Sequence, residues 1–370
     1  MPGRFRSLLA ILVVTAVAAC TGSESPPASA QAPGGEPSPV ASLSGPMCGF
    51  PQPGCTELTV GLGYIPSVQF APFYYAQSQG YYRDGGLIVT FQNKIDPDLV
   101  TLVGQGSIDI GVADGTSVIP AVSQGIPIQY VATVYGTFPN VVLAKTGSGI
   151  TTAADLKGRK IGTPGKYGSS WIMLQALLGS AGLTPDDTTI VEYPDFGQGV
   201  ALQQGAVDAA TGFTNNEPVQ LQLAGVSTVQ LHVDSVVALP GPGLIASTKA
   251  LASNGNAIRA FIDATLRAMR EIAADPQSGV TASAAISPDL GSNPATQLAI
   301  LQATIATWSN SGTATNGYGW IDTAGWQASI DYMTTLGLVP KPVTVDQLVT
   351  TAYLPAGALA SPAASSAASP

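Results

Sequence analysis

The stretch Gln105-Gly106-Ser107-Ile108-Asp109 decides the fold class, because a close counterpart, Gln204-Gly205-Ala206-Val207-Asp208, follows later in the chain. In each stretch a glycine, which can adopt the left-handed conformation that ends a helix, precedes an apolar run that can enter a sheet. A single turn from a helix to a strand often looks like this and indicates little. Each copy, however, closes a unit of strand, loop, helix, glycine and strand, so the pair predicts two similar lobes.

Strands and helices alternate through the first two thirds of the chain. Short apolar runs predict strands over 58–62, 87–91, 108–113, 128–134, 160–162, 189–192 and 207–213. Helices are predicted between them, over 70–79, 98–103, 117–124, 171–181 and 198–204. This alternation is typical of an α/β protein with a mainly parallel sheet in each lobe. After residue 250 only helices are predicted, over 257–274, 294–309, 323–336 and 345–353.

The N-terminus has the order of an export signal. Arg4 and Arg6 precede an apolar run over 8–17, and small residues then lead to Cys20. The run is too short to span a bilayer, which needs about 20 apolar residues. Val17-Ala18-Ala19-Cys20 resembles the lipobox of bacterial lipoproteins. The resemblance implies a signal peptide over 1–20 and a lipid on Cys20 that anchors the protein to the outer face of the cell membrane; an ordinary cleaved signal is the alternative.

The segments that flank the folded region are poor in apolar residues. Residues 21–46 are mostly Ser, Pro, Ala, Gly and Gln, which predicts a flexible tether over 21–56, and 355–370 predicts a disordered tail. Once Cys20 is assigned to the lipid, Cys48 and Cys55 remain, and an oxidising compartment favours a disulfide between them. A zinc site is disfavoured, because two thiols and the lone His232 are too few and too scattered.

Composition limits the function further. The roughly 300 residues between the tails exceed what one hydrophobic core usually serves, so two domains are expected. Hydrophobic residues make up 45% of the chain, charged residues 10%, and the net charge is −9. An acidic chain without a basic cluster has no electrostatic surface for nucleic acid.

The order and spacing of several segments over most of the chain resemble those of one family of binding proteins. The segments are Ala71-Pro72-Phe73-Tyr74-Tyr75-Ala76, Gly80-Tyr81-Tyr82-Arg83-Asp84-Gly85-Gly86-Leu87, Gly106-Ser107-Ile108-Asp109-Ile110-Gly111, Asp155-Leu156-Lys157-Gly158-Arg159-Lys160-Ile161-Gly162 and Thr214-Asn215-Asn216-Glu217-Pro218. The family is that of the ABC-transporter solute-binding proteins for nitrate, sulfonates, taurine and the pyrimidine precursor of thiamine.

This resemblance implies the type II periplasmic-binding-protein fold, in which two doubly wound lobes are joined by two crossovers. The crossovers are then expected near 143–146 and 233–237. Lobe 1 would comprise 57–144 plus 238–354 with the C-terminal helices, and lobe 2 would comprise 145–237. The resemblance also implies a monomer that needs no cofactor or metal, binds a small molecule, and works with an ABC permease and its ATPase subunit.

The ligand site is expected where loops follow the carboxyl ends of the strands, because open parallel sheets bind ligands there. Aromatic, amide, hydroxyl and carboxyl side chains in these loops are the candidates: Tyr64, Gln69, Phe70, Asp114, Thr116, Tyr167, Ser169, Ser170, Trp171, Tyr193, Phe196, Asn215, Asn216 and Glu217. Phe73 and Trp171 could equally be core residues, and Tyr81 and Tyr82 are interpreted as structural. Glu217 could either accept bonds from a ligand or simply favour the start of a helix.

Charge separates the ligand classes. The candidate loops contain no Arg and one Lys, Lys166, which disfavours a sulfonate or nitrate, since oxyanions gain from bidentate Arg. A flat nitrogen heterocycle fits better. Within the family, Asn216-Glu217-Pro218 and the loop that leads to Trp171 most resemble members for the thiamine pyrimidine precursor or for a vitamin such as riboflavin. An anion-binding protein remains the alternative.

Catalysis is not expected. The same fold family includes a fungal-type synthase of the thiamine pyrimidine, which needs a reactive His in the first lobe, whereas the single His here is His232, near the predicted second crossover. No Gly-x-Ser-x-Gly elbow of a serine hydrolase occurs. A sensor or adhesive lipoprotein that takes no part in transport is a further alternative.

Overall fold

A computed structural model describes residues 54–93, 99–235 and 239–355. The predicted signal peptide with Cys20, nearly all of the tether with Cys48, and nearly all of the tail lie outside these residues. Cys55 is disulfide-bonded, and its pairing with Cys48 stays a prediction. In the part of the chain that is described, no helix has both the length and the apolar character needed to cross a membrane.

The strands are interspersed with helices up to the last strand. The strands are β1 Thr56–Gly61, β2 Leu87–Gln92, β3 Ile110–Asp114, β4 Ile128–Thr133, β5 Asn140–Lys145, β6 Lys160–Thr163, β7 Thr189–Glu192, β8 Ala209–Phe213, β9 Thr228–His232 and β10 Pro242–Ser247. The helices are α1 Ala71–Ser78, α2 Tyr81–Asp84, α3 Leu99–Gln105, α4 Gly115–Ser123, α5 Gly168–Ser180, α6 Gln198–Gln204, α7 Glu217–Leu223, α8 Thr248–Ala274, α9 Pro276–Ile286, α10 Pro294–Thr307, α11 Ser311–Asn316, α12 Thr323–Thr335 and α13 Val345–Leu348. In chain order β5 comes next after β4, and α2 next after α1.

Two five-stranded sheets share one plan, with strand orders β2-β1-β3-β10-β4 and β7-β6-β8-β5-β9. In each sheet one strand, β10 or β5, runs antiparallel to both of its neighbours. In chain order each of these strands comes next after a strand of the other sheet. The two connections, 134–139 and 233–241, are shorter than the dozen or more residues that a crossover between parallel neighbours needs. The predicted α/β architecture of two similar lobes is confirmed, although the sheets are mixed.

The repeated sequence stretch has the same structure in both lobes. Gly106 and Gly205 both have φ 78° and end α3 and α6 in the left-handed conformation. The aspartate that follows then ties the turn to the neighbouring parallel strand, which is β1 in lobe 1 and β6 in lobe 2. In lobe 1 the carboxylate of Asp109 accepts a 2.7 Å bond from the Thr59 backbone, and in lobe 2 Asp208 accepts a 2.9 Å bond from Lys160. The sequence echo therefore reflects a shared hydrogen-bonding device.

The first crossover lies earlier than predicted. β5 already pairs with β8 and β9, so the chain passes between the sheets over 134–139 and not near 143–146. The run 140–145 is apolar and almost fully buried, as expected of a strand near the middle of a sheet, and it cannot form an exposed connection. The second passage follows β9 and ends before β10.

The C-terminal region differs from the prediction in two respects. Helices α9 and α11 were not predicted; both are rich in small residues and lack a clear apolar period. The last helix ends at Leu348 and does not reach 353, because Val349 is extended (φ −131°, ψ 153°) and forms a β-bridge with Tyr130. The amphipathic pattern predicted for α8 is confirmed, since its apolar side chains are buried in the core of lobe 1.

Candidate functional site

A cavity of about 430 Å³ lies between the two lobes. Loops at the carboxyl ends of strands from both sheets form its walls, which is where ligands bind in open α/β sheets. The predicted site residues that line it are Tyr64, Gln69, Phe70, Asp114, Tyr167, Ser169, Ser170, Phe196, Asn216 and Glu217. Phe73, fully buried in the core of lobe 1, also reaches it, whereas Tyr82 stacks on Phe261 away from it.

Four predicted site residues lie outside the cavity lining: Thr116, Trp171, Tyr193 and Asn215. Thr116 is fully buried in α4. Trp171 and Tyr193 pack against the two hydrophobic clusters of lobe 2. Their aromatic rings therefore contribute to the core of lobe 2 and not to the wall of the cavity.

Asn215 lies in a buried contact between the lobes. It belongs to the loop after β8 in lobe 2, and no part of it is exposed. Its Nδ2 lies 3.0 Å from Oε1 of Gln69 and 2.8 Å from Oγ1 of Thr304, both in lobe 1, and 3.3 Å from the Tyr135 hydroxyl in the first crossover. Since Nδ2 carries two hydrogens, it can donate fully to the two closer acceptors. Through Gln69 the contact reaches the cavity wall.

An aromatic pair also joins the lobes. The ring of Tyr64, in the loop after β1, meets the ring of Phe196 edge-on, with centroids 4.8 Å apart and planes at 85°. Phe196 has φ 61°, a left-handed conformation that is uncommon for a bulky residue and costs about 1–3 kcal/mol. It is the one non-glycine residue with positive φ in the part of the chain that is described. The surrounding structure thus holds this ring over the cavity despite the strain.

The Glu217 carboxylate has partners within its own lobe. Oε2 accepts a 2.8 Å bond from the Phe213 backbone N–H, and Oε1 accepts a 3.3 Å bond from Nε2 of Gln198. Burial raises the pKa of Glu217, while hydrogen bonds from the backbone of Phe213 and of Glu217 itself lower it to a smaller extent. Burial raises the pKa of Tyr64, and the charge of Glu217 raises it further.

The Asp114 carboxyl, unlike that of Glu217, has one oxygen without a hydrogen-bond donor. Asp114 ends β3 in lobe 1, and its Oδ1 is buried without a hydrogen-bond partner. Burial raises the pKa of the Asp114 carboxyl to about 6, against smaller lowering effects of hydrogen bonds from the Ser169 side chain and the Asp114 backbone. Ser169 belongs to α5 in lobe 2, so this carboxyl also lies at the boundary between the lobes.

Several lining residues were missed by the sequence analysis. Tyr135 lies two residues after the end of β4, and placing the first crossover too late hid its position at the cavity. Gln198 is the first residue of α6 and is only 1% exposed. An apolar extension of the cavity between α3 and α4 was also missed; its lining includes Leu99, Val100, Pro120, Ala121 and Ile126.

Among the described residues, acidic but no basic side chains line the cavity. Asp114 and Glu217 are the charged residues among the described residues that line it, and no Lys, Arg or His is included. Lys166 is exposed and does not line the cavity. His232 ends β9 and likewise does not contribute to the wall. The chemistry available is therefore stacking, hydrogen bonding by amides, hydroxyls and carboxylates, and apolar contact.

Comparison with known proteins assigns the chain to a family. Residues 67–279, more than half of the chain, match the family described as NMT1/THI5 like. The chain belongs to this family. The riboflavin-binding protein RibY of Chloroflexus aurantiacus is 32% identical over 354 residues, which cover 94% of this chain and 97% of the relative.

A second relative is an enzyme. The 4-amino-5-hydroxymethyl-2-methylpyrimidine phosphate synthase of Aspergillus parasiticus is 30% identical over 238 residues, which cover 60% of this chain and 68% of the enzyme. The likeness to the enzyme is thus shorter than the likeness to the binding protein, which extends over nearly the whole chain.

Solved structures show the same fold at low sequence identity. The alkanesulfonate-binding protein SsuA of Xanthomonas axonopodis pv. citri, bound to MOPS, superposes with a TM-score of 0.62 at 23% identity, covering 80% of this chain and 98% of SsuA. The nitrate-binding protein NrtA of Synechocystis PCC 6803 gives 0.60 at 15% identity, covering 81% of this chain and 87% of NrtA. The periplasmic-binding-protein fold and the resemblance to this group of binding proteins are confirmed.

Proposed function

We propose that this protein is the extracytoplasmic solute-binding component of an ABC importer. It captures a small nitrogen heterocycle between its lobes, either a riboflavin-like vitamin or the pyrimidine precursor of thiamine, and delivers it to the permease. The observation that carries the proposal is the interlobe cavity, whose wall has aromatic rings, amides and two carboxylates but no cation among its described residues. Likeness to a riboflavin-binding protein over 94% of the chain supports it.

The cavity chemistry argues against an anionic ligand. A sulfonate or nitrate needs donors and gains most from bidentate Arg, whereas here Asp114 and Glu217 would face the anion. SsuA and NrtA share the fold, but a fold by itself does not carry over a ligand. A neutral or weakly basic ring can stack on Tyr64 or Phe196 and donate hydrogen bonds to the carboxylates.

Binding without catalysis is also the better account of the wall residues. The resemblance to the pyrimidine synthases implies that such an enzyme needs a reactive His in lobe 1. The single His of this chain is His232, in lobe 2 and away from the cavity. The likeness to the synthases covers 60% of the chain. We therefore propose that the protein releases its ligand unchanged.

The site of action follows from the N-terminus. We propose that the mature chain begins at Cys20, that a lipid on this residue holds it at the outer face of the cell membrane, and that the segment up to residue 56 tethers the lobes within reach of the permease. The lobes themselves work as a monomer. The order Arg4, Arg6, apolar run and Cys20 supports this arrangement.

A ligand screen tests the function. Purified chain lacking residues 1–20 is mixed with riboflavin, the thiamine pyrimidine precursor, taurine or nitrate, and thermal unfolding is followed. A ligand at 100 times its dissociation constant stabilises the folded state by about 2.7 kcal/mol. We expect a shift with at least one heterocycle and none with taurine or nitrate. A shift with the anions alone contradicts the proposal, and so does conversion of a heterocycle to a product seen by chromatography.

A further inference from the structure

Two buried acceptor atoms on the cavity wall lack hydrogen-bond partners. One is Oδ1 of Asp114, at the end of β3 in lobe 1, and the other is Oε1 of Gln198, at the start of α6 in lobe 2. Both residues line the same cavity. A buried polar atom without a partner is costly and rare in folded proteins, so each such atom needs a physical explanation.

The contacts of Gln198 fix the orientation of its amide. Nε2 lies 3.3 Å from the Thr211 carbonyl oxygen and 3.3 Å from Oε1 of Glu217, and both of these atoms accept hydrogen bonds. Turning the amide over would set Oε1 against two acceptors, so the NH₂ group must face them. The oxygen is therefore left for another donor, although the side chain is only 1% exposed.

The two carboxylates of the cavity wall, Glu217 and Asp114, differ in whether their oxygens already have hydrogen-bond donors. The Phe213 backbone and Gln198 already donate to Glu217, which accounts for its position at the start of α7. Asp114 has Ser169 beside it, yet its Oδ1 remains without a donor. Of the two interpretations left open for Glu217, its contacts favour the structural one, and Asp114 is the carboxylate with capacity to bind a ligand.

We propose that Asp114 Oδ1 and Gln198 Oε1 select the ligand by accepting one hydrogen bond each from it, so that the ligand bridges the two lobes. The inference deepens the proposed function and rests on it. The ligand must then carry at least two donors, such as a ring N–H, an amino group or a hydroxyl, at separate edges. Because the acceptors belong to different lobes, only a closed arrangement satisfies both, and this differential contact couples binding to closure.

Substitutions that remove each acceptor test this inference. Asp114→Leu keeps the branched shape and Gln198→Met a similar length without the acceptor, and Asp114→Asn keeps a weaker acceptor. Matched controls are Asp263→Asn and Gln203→Met, which are exposed on α8 and α6. With riboflavin, or with the heterocycle found in the screen, we expect at least about a tenfold loss of affinity for Asp114→Leu and about fivefold for Gln198→Met. Asp114→Asn should fall between wild type and Asp114→Leu, and the controls within twofold of wild type.

Ligands with blocked donors provide the complementary arm. For riboflavin these are 3-methylriboflavin, which lacks the ring N–H, and lumiflavin, which lacks the hydroxyl chain. If a ligand donor pairs with Asp114 or Gln198, blocking that donor weakens binding to wild-type protein. The same block then weakens binding to the matching variant much less. Such coupling for at least one pair supports the bridge.

Failure of the bridge and failure of the proposed function give different results. If wild-type protein binds no heterocycle, the proposed function is wrong. If it binds one, and Asp114→Leu and Gln198→Met bind it with wild-type affinity, the bridge alone is wrong, because water or another group then satisfies both oxygens. The bridge is also contradicted if each blocked flavin loses the same affinity with wild-type protein as with both variants.

Discussion

The side chain of Asn215 donates a 3.0 Å hydrogen bond to Oε1 of Gln69, across the boundary between the lobes and next to the cavity. Gln69 is held from the other side by Ser67, whose Oγ lies 3.1 Å from Nε2 of Gln69. A further bond of 2.8 Å joins Asn215 to Thr304. Asn215, predicted as a ligand contact, thus lies outside the cavity lining and contacts Gln69, which does line the cavity.

Replacing Asn215 tests this positioning role. Asn215→Leu keeps the branched shape but leaves Oε1 of Gln69 unpaired, so we expect the free energy of unfolding to fall by about 1–3 kcal/mol. Ligand affinity should fall as well, because Gln69 is no longer held. Calorimetry and urea unfolding measure the two effects, with Gln222→Leu, exposed on α7, as the control. Unchanged affinity would show that the contact between the lobes serves stability alone.

Glu217 should matter more for the fold than for the ligand. Glu217→Ala removes the acceptor of the Phe213 N–H, which is bonded at 2.8 Å, and leaves a donor unpaired beside the cavity. We expect the ligand-free protein to lose about 1–3 kcal/mol of stability. The loss of affinity should be smaller than that of Asp114→Leu. If Glu217→Ala loses more affinity than Asp114→Leu while its free energy of unfolding changes little, Glu217 is instead the residue that accepts hydrogen bonds from the ligand.

The fold was predictable because local signals agreed with the global plan. Gly106 and Gly205 end their helices for a local reason, the left-handed conformation, and Asp109 and Asp208 repeat the same contact. The first crossover was misplaced because an apolar run such as 140–145 has the same pattern whether it joins one sheet or the other. Only the pairing with β8 decides this, and that pairing is not local in sequence.

The site was predictable as a set of loops but not as a set of contacts. Strand ends identify the cavity, yet Trp171 packs in the core of lobe 2, while Gln198, the first residue of α6, reaches the wall. Which carboxylate has spare acceptors depends on backbone donors such as Phe213 N–H. No sequence pattern distinguishes Asp114 from Glu217 in this way, because the folded path of each loop decides whether a backbone or side-chain donor reaches the carboxylate.

The anchor is tested at its one cysteine. Cys20→Ala should prevent lipidation, so the protein should move from the membrane fraction to the soluble exported fraction. Cys48→Ser serves as the control, because it changes a cysteine that the lipobox does not include. Mass spectrometry of the mature N-terminus reads the lipid directly. An N-terminus without lipid in the wild-type protein contradicts the anchor.

Asp114 gives the ligand-free protein a pH dependence of stability with a definite sign. Its pKa rises from 3.8 to about 6 on folding, so the folded state binds the proton more tightly than the unfolded state. The protonated Asp114 carboxyl therefore stabilises the folded state below pH 3.8, and this contribution is lost as the pH rises through about 6. This rise in pKa corresponds to roughly 3 kcal/mol of the free energy of unfolding. Asp114→Asn should remove this slope and make the ligand-free protein more stable than wild type near pH 7.5.

Ligand binding should show the opposite trend, because only the ionised carboxylate is a full acceptor. We expect wild-type affinity to weaken as the pH falls from 7.5 to 5, and Asp114→Asn to show less of this dependence. Glu217, the other carboxylate on the wall, also has a raised pKa, so Glu217→Gln is titrated in parallel to separate its share. A variant that binds less tightly yet unfolds at higher urea would identify Asp114 as a residue kept for the ligand at the expense of stability. Parallel pH curves for wild type and Asp114→Asn, in unfolding and in binding alike, would exclude Asp114 from both roles.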